Sequence, residues 1–426
     1  MGVYGLVVAV DRAPVGGRLT DQISLGVLAG AVPRDAVDDA VAEAGKQAKR
    51  CDGKLPPQVM LYFAMAMALF ADDDYEEVAA RLTDSLTAWD CWDAGWSVPT
   101  SGGITQARRR LGAEPVRRVF ERVAEPVADL LTRDAWVGSW RLMAIDGFEW
   151  DAPDTSANAQ EFGYAGSGDK RSAFPKVRVV TVSECGSHAV VNAAIGSQRD
   201  GEQTLARRLY PALADDWLLI ADRNFYSWAD WTLAAGTGAA LLWRVKSTLG
   251  LPVLDTLPDG SYTALLVNPA IKGKVRTGLI DRARAGEPVD DERARIVRVI
   301  EYQVPDRDGA SQGKGTGELI CLISTIVQHG VVPAMALAAA YHHRWEHETG
   351  NDQIKTHLRG PGRILRSRSP EMVRQEIYGY LLTHYAISAL ICRAATEADI
   401  DPDRVKFTRT VKIIRRSLAR PADFSP

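Results

Sequence analysis

The chain has 426 residues, 46% hydrophobic and 25% charged, a balance that excludes disorder as the default and leaves room for two or three hydrophobic cores. Its formal net charge of −3 excludes a uniformly basic nucleic-acid binder. No apolar run approaches the ~20 residues a bilayer needs, so a cytoplasmic protein without a membrane partner is expected.

In chain order, residues 20–125 read as helical. Pro56-Pro57 opens a run from Gln58 to Phe70, and Tyr75 to Leu86 is a second periodic segment. Asp72, Asp73, Asp74, Glu76 and Glu77 make an acidic run. Ser101-Gly102-Gly103 predicts a turn before a short basic helix with Arg108, Arg109 and Arg110, followed by an amphipathic run from Glu114 to Leu131. This pattern is compatible with a helix-turn-helix that presents the three arginines to phosphates or base edges, and also with a basic surface helix.

From residue 141 the chain becomes β-rich. Leu142 to Phe148, Val177 to Val182 and Ala189 to Ile195 predict three adjacent antiparallel strands; Gln203 to Leu213 predicts a helix, and Trp217 to Asp222 a buried strand. Further strands are expected at Leu241 to Val245, Ile296 to Val304 and Leu319 to Thr325, with a Gly/Pro/Asp-rich loop at Pro305 to Gly317. Pro333 is placed as the N1 proline of a helix carrying Tyr341 and Glu348, and Ser369-Pro370-Glu371 starts a long helix to about Ala395. The C-terminal third is basic, through Arg359, Arg363, Arg366, Arg368 and Arg374, then Arg404, Lys406, Arg409, Lys412, Arg415, Arg416 and Arg420. Screening confines each charge to roughly 8 Å, so a polyanion fits there despite the acidic total. Cys51, Cys91, Cys185, Cys321 and Cys392 form no CxxC pair and are expected to be buried thiols.

Tyr341, Arg344, Glu348 and Lys355 return close to one face of a helix at ~100° per residue. Such a mixed-sign stripe reads either as a site for anions and metal or as a solvated face of ion pairs. Asp146 and Asp222 each end an apolar stretch, where a buried carboxylate needs a partner or a metal. Two strand-end aspartates and a helix glutamate supply the hard oxygen donors that Mg²⁺ or Mn²⁺ prefer, and are expected to converge within metal-sharing distance.

Ala144-Ile-Asp146-Gly147, Ala221-Asp222-Arg223-Asn224-Phe225-Tyr226-Ser227-Trp228 and Tyr341-His-His-Arg344-Trp345-Glu-His-Glu348 through Lys355 resemble the three blocks of DDE transposases of the insertion-element-four family. The last block fills every named position of that family's Tyr-x2-Arg-x3-Glu-x6-Lys signature. The resemblance implies an α/β fold: a ribonuclease-H-like mixed sheet flanked by helices, interrupted by a β-rich insertion, with an N-terminal helical DNA-binding domain. It implies cut-and-paste transposition, with Asp146, Asp222 and Glu348 as catalytic ligands of two Mg²⁺ or Mn²⁺ ions. Tyr341, Arg344, Lys355 and Arg223, with Arg108, Arg109 and Arg110, would contact DNA. The implied partners are inverted-repeat end DNA, target DNA and a second copy of the chain in a homodimeric synaptic complex. The expected division is 1–130, helical; 131–240, first part of the core; 241–316, insertion; 317–398, remainder of the core; 399–426, basic tail. An aromatic residue of the insertion can stabilise a flipped base in this family; Trp243 is the insertion's only tryptophan and lies in an apparent core strand. Two rival readings are a non-catalytic DNA-binding regulator and a hydrolase whose metal is held by His343 and His347.

Overall fold

A computed structural model describes residues 28, 30–48, 55–87, 98–304 and 318–419. Cys51, Cys91, Arg420 and the Pro305–Gly317 loop lie outside the described residues. The helical segment comprises α1 (Arg34–Glu43), α2 (Pro57–Leu69), α3 (Tyr75–Thr87), α4 (Ser101–Leu111) and α5 (Glu114–Val123). Helix α2 is apolar on every side and is buried along nearly its whole length, as a central helix must be. The serine-glycine turn expected before α4 is instead its first turn, capped by Thr100, whose Oγ1 accepts from the Gly103 N–H at 3.3 Å. Helix α5 stops at Val123 rather than near Leu131, because Pro126 cannot continue it.

The sheet-forming half runs β1 (Trp136–Val137), β2 (Trp140–Asp151), α6 (Ser156–Phe162), β3 (Lys176–Glu184), β4 (Val190–Ser197), α7 (Glu202–Ala206), β5 (Trp217–Ala221), α8 (Trp228–Ala235) and β6 (Ala240–Val245). It continues through β7 (Val253–Thr256), β8 (Tyr262–Val267), α9 (Gly273–Arg284), β9 (Ala294–Val304), β10 (Glu318–Ser324), α10 (Ala334–His342), α11 (Arg344–Asp352), a π-helical turn (Gln353–Leu358), α12 (Pro370–Glu397) and α13 (Phe407–Ala419). Among the described residues the strands form one mixed ten-stranded sheet, β4-β3-β2-β5-β6-β10-β9-β8-β7, with β1 on β2. The first three long strands are antiparallel neighbours, as their spacing predicts, while β5 joins β2 in parallel and β6 joins β5 in parallel. The 241–316 block does not stand apart from this sheet: β6 is one of its central strands, and β7 to β9 extend its far edge, with α9 packed on β7 and β8.

The sheet buries both faces. Met143 and Ile145 of β2 pack with Trp231 and Trp243 on the side of α7 and α8. Leu142 and Ala144 pack with Leu337 and Tyr341 of α10, and further along β2 Phe148 and Trp150 pack with Tyr380 and Leu381 of α12. That second core continues into Phe63 and Leu69 of α2, so the N-terminal helices and the sheet share α12 as common support. The contact is close: a Cβ on Gly379 of α12 would stand 2.5 Å from the Ala64 carbonyl oxygen of α2.

Candidate active site

Side chains alternate along a strand, so Asp146 lies on the same face as Ala144 and Phe148, and Asp222 on the same face as Ile220. Both therefore face the layer of α10, α11 and α12. Pairing between β2 and β5 ends at Ile145 with Ala221, which puts Asp146 and Asp222 at neighbouring positions one step further on. Asp146 does not end its strand, as the apolar run suggested; β2 continues against β3 to Asp151. Beyond Ile145, β2 has a neighbour on its β3 side and none on its β5 side, and this break in the sheet is the notch where the aspartates sit.

The third carboxylate arrives on a broken helix. One helix was expected to carry Tyr341 through Lys355, but α10 stops at His342, α11 begins at Arg344, and the chain widens into a π turn at Gln353. Arg344 and Glu348, four residues apart within α11, are bonded Nη1 to Oε1 at 2.6 Å. The Tyr341 hydroxyl donates to Asp222 Oδ1 at 3.4 Å, and burial together with that carboxylate pushes the phenol's pKa well up. Lys355 stands with Nζ 5.8 Å from the Phe148 ring, two residues along β2 from Asp146. The wide i→i+5 turn resets the helical phase after the Gly350 region and keeps this lysine over the sheet.

Burial lifts the Asp146 carboxyl to about 6, against the pull of the Gly147 N–H and of Arg344, while the charges of Glu202 and Glu348 push it further up. A carboxyl desolvated among like charges and half satisfied by one backbone N–H is a ready acceptor for a hard cation. The donor set thus fits a divalent ion in chemistry. It is not assembled as a cage: among the described residues no three His, Cys, Asp or Glu side chains stand close enough to hold an ion together. The metal-sharing convergence expected from sequence is not seen among the described residues. Each carboxylate instead meets a donor of its own: Asp222 the Arg223 N–H at 2.7 Å, Asp146 the Gly147 N–H at 2.7 Å, Glu348 the guanidinium of Arg344.

A family model described as "Transposase DDE domain" matches residues 140–385, more than half of the chain, and includes all three carboxylates. The chain belongs to the DDE transposase family. A second model, "Insertion element 4 transposase N-terminal", matches residues 22–121, which places this DDE transposase in the insertion-element-four group. It is 26% identical over 396 residues to the transposase InsG for insertion sequence element IS4 of Escherichia coli K12, covering 92% of this chain and 82% of that one. It is 34% identical over 137 residues to the putative transposase InsZ of the same organism, covering 32% of this chain and 46% of that one. Among solved structures, a piggyBac transposase synaptic complex with hairpin DNA matches with a TM-score of 0.46 at 12% identity, covering 94% of this chain and 81% of that one.

Several expectations for this DDE transposase need correction. Arg108 is fully buried and does not face DNA. Its guanidinium donates to Gln375 Oε1 at 2.8 Å, Tyr75 hydroxyl at 2.5 Å, Ser367 Oγ at 2.9 Å and the Met372 carbonyl at 3.3 Å, tying α4 to α12. Arg109 and Arg110, on the other side of the same helix, are exposed. The histidines do not converge: His343 Nδ1 is engaged by Glu346, and His347 is buried with Nε2 3.2 Å from Thr181 Oγ1. Trp243, by contrast, is buried against Trp231 and Tyr210, as its place in a core strand predicts, and presents no face to a base.

Three neighbours escaped sequence reasoning. Arg244 of β6 lies 4.0 Å from Asp222 Oδ1 and also bonds Glu318; an arginine inside the apolar run Leu241-Leu-Trp-Arg244-Val was a readable signal. Glu202 sits so close under the Asp146–Gly147 peptide that a Cβ on Gly147 would meet its Oε1 at 2.8 Å, and no spacing pointed to it. Trp345, beside Arg344, is 60% exposed, with the Arg344 guanidinium 5.0 Å from its ring centroid. Finally, Cys185, Cys321 and Cys392 are buried free thiols as expected, and no helix among the described residues is long and apolar enough to cross a membrane.

Proposed function

We propose that the chain binds the terminal inverted repeats of its element, cleaves phosphodiester bonds at the ends and joins the freed 3′ ends to target DNA, with Asp146, Asp222 and Glu348 as ligands of two Mg²⁺ or Mn²⁺ ions. The observation that carries this reading is the β2–β5 register, which sets two aspartates side by side in a notch that faces the Glu348 helix. Bound there, such ions would activate a water or 3′-hydroxyl and neutralise the leaving oxygen.

The rest of the chemistry belongs to side chains. Arg344 gives one N–H to Glu348, and the five-donor fork of its guanidinium leaves other Nη hydrogens for a phosphate. Tyr341 offers its hydroxyl beside Asp222, and Lys355 a point charge over β2. Arg223, half exposed next to Asp222, and Arg109 and Arg110 on α4 serve the DNA backbone. Two ends must be brought together for one insertion event, so a homodimer in the synaptic complex is the natural agent.

The test is incubation with labelled end DNA, with and without Mg²⁺, for wild type, Asp146→Asn and Glu348→Gln. Both variants should retain end binding and lose cleavage by at least about 10³-fold, as expected when a metal ligand is removed from the reacting centre. Cleavage without metal, or at wild-type rate in either variant, overturns the assignment. Binding without cleavage by the wild type would favour a regulator.

A further inference from the structure

Between Arg404 and Arg416 the chain carries six cations and no acid, and α13 sorts them by face. Phe407, Val411 and Ile414 are buried in the core that contains α2 and α12, and Arg415 turns inward, its Nε donating to the Leu69 carbonyl at 2.5 Å. On the opposite side Lys406, Arg409, Lys412 and Arg416 are exposed, with Arg404 just ahead of them. Positions three and seven beyond Arg409 return within about 60° of it, so the last three form a stripe.

Among the described residues no carboxylate is paired with any of these five; Arg416 Nε meets only the carbonyl of Lys412, at 3.2 Å. The nearest acid in sequence, Asp403, is paired with His188 at 3.0 Å. Other arginines are answered: Arg117 by Glu114 and Glu121, Arg207 by Asp230, Arg374 by Glu161. Like charges crowded on one helix face without acids are destabilising, and a polyanion offsets that repulsion.

We propose that the outer face of α13, with Arg404 and Lys406, holds the phosphate backbone of the target duplex during end joining. This rests on the transposase reading above. The occupant follows from the chemistry of the face. Apart from its cations it presents Thr408 and Ile413 and no Asn or Gln to pair with an adenine edge, so it meets DNA through positive charge, which suits phosphates, and only its arginine and lysine side chains could also pair with a guanine edge. Element ends have one sequence and must be read; a target duplex has any sequence and needs only to be held. The placement agrees, because α13 packs beside the π turn that carries Lys355.

The experiment uses the full chain as wild type, as the triple variant Arg409→Gln, Lys412→Gln, Arg416→Gln, as single Lys412→Gln, and as Arg409→Lys with Arg416→Lys, which retains charge. Three readouts are compared: salt dependence of binding to a random-sequence duplex, cleavage of labelled end DNA in Mg²⁺, and joining of a pre-cut end to plasmid. The triple variant should flatten the log–log salt slope by roughly 2–3, and the single variant by about 0.9, one phosphate contact each. Joining should fall at least about tenfold in the triple variant, end cleavage should stay within about twofold, and the charge-retaining variant should match wild type. Unchanged slope and joining overturn the proposal, as does a loss of end cleavage in proportion to the loss of joining, which would assign the face to the element end. A wild type that fails to cleave its ends defeats the transposase chemistry instead, and the random-duplex slopes still judge α13.

Discussion

Successive residues on a helix point ~100° apart, so Arg108, Arg109 and Arg110 of α4 cannot share surroundings. Arg108 faces inward, where burial pulls its pKa down and four hydrogen-bond partners on α3 and around α12 hold its charge. Arg108→Ala strands Gln375, Ser367 and the Tyr75 hydroxyl in a closed core and should destabilise the fold by on the order of 3 kcal/mol. Arg109→Ala should leave the denaturation midpoint unchanged and weaken binding to end DNA. Urea titration and a gel-shift assay separate the two; equal midpoints would refute the buried role. Sequence spacing identified the arginine triplet but not which member was inside, because that depends on where α12 lies. The same limit applied at the site. Asp146 and Asp222 were legible because a carboxylate after Ala144-Ile145 or Ile220-Ala221 interrupts an apolar stretch. Glu202 was illegible because only the fold brings α7 under Gly147.

The elements most legible in sequence were those whose period matches their burial. Strands β2 to β5 were read from β-branched runs, and α12 from Pro370 and its long apolar pattern. Helix α9 and strand β8 were missed, since α9 offers few apolar residues and β8 follows a turn-rich stretch. The break at His343 and the π turn at Gln353 were also missed; the π turn answers to packing, for Gly350 of α11 runs against His188 and Gln353 bonds it at 3.1 Å. Close packing yields its own prediction where α2 crosses α12. With the Ala64 carbonyl in the way, Gly379→Ala must push two buried helices apart, at a cost of about 2–3 kcal/mol despite alanine's better helix propensity. Thermal melting checks this, and an unchanged or raised midpoint would show that the helices yield freely.

For the whole molecule, the packing of α11 and α12 onto the sheet makes stability depend on pH. His347 on α11 and His384 on α12 are both buried, and burial lowers each to about 3. In the unfolded chain each returns to about 6.5, so below that pH unfolding takes up protons that the folded state refuses. Stability should therefore fall as pH drops from about 6.5 toward 3, by at most about 1.4 kcal/mol per pH unit for each histidine. Asp146 works the other way. Its folded pKa, raised to about 6, penalises the folded state at higher pH and relaxes that penalty as pH falls toward 4. Partly buried Glu346, also shifted up, acts in the same direction as Asp146. The wild-type profile thus mixes opposing slopes, and a difference measurement isolates the histidine. His384→Gln keeps a polar group near Gln353, which now meets His384 Nε2 at 3.0 Å, and removes the titration. Relative to wild type the variant should gain stability steadily as pH falls from about 7 to about 5, by roughly 1–2 kcal/mol in total. A constant offset across that range, measured by urea unfolding at each pH, would mean that His384 takes up its proton in the folded core as readily as in the unfolded chain and that the polar seam between α11 and α12 accommodates its charge.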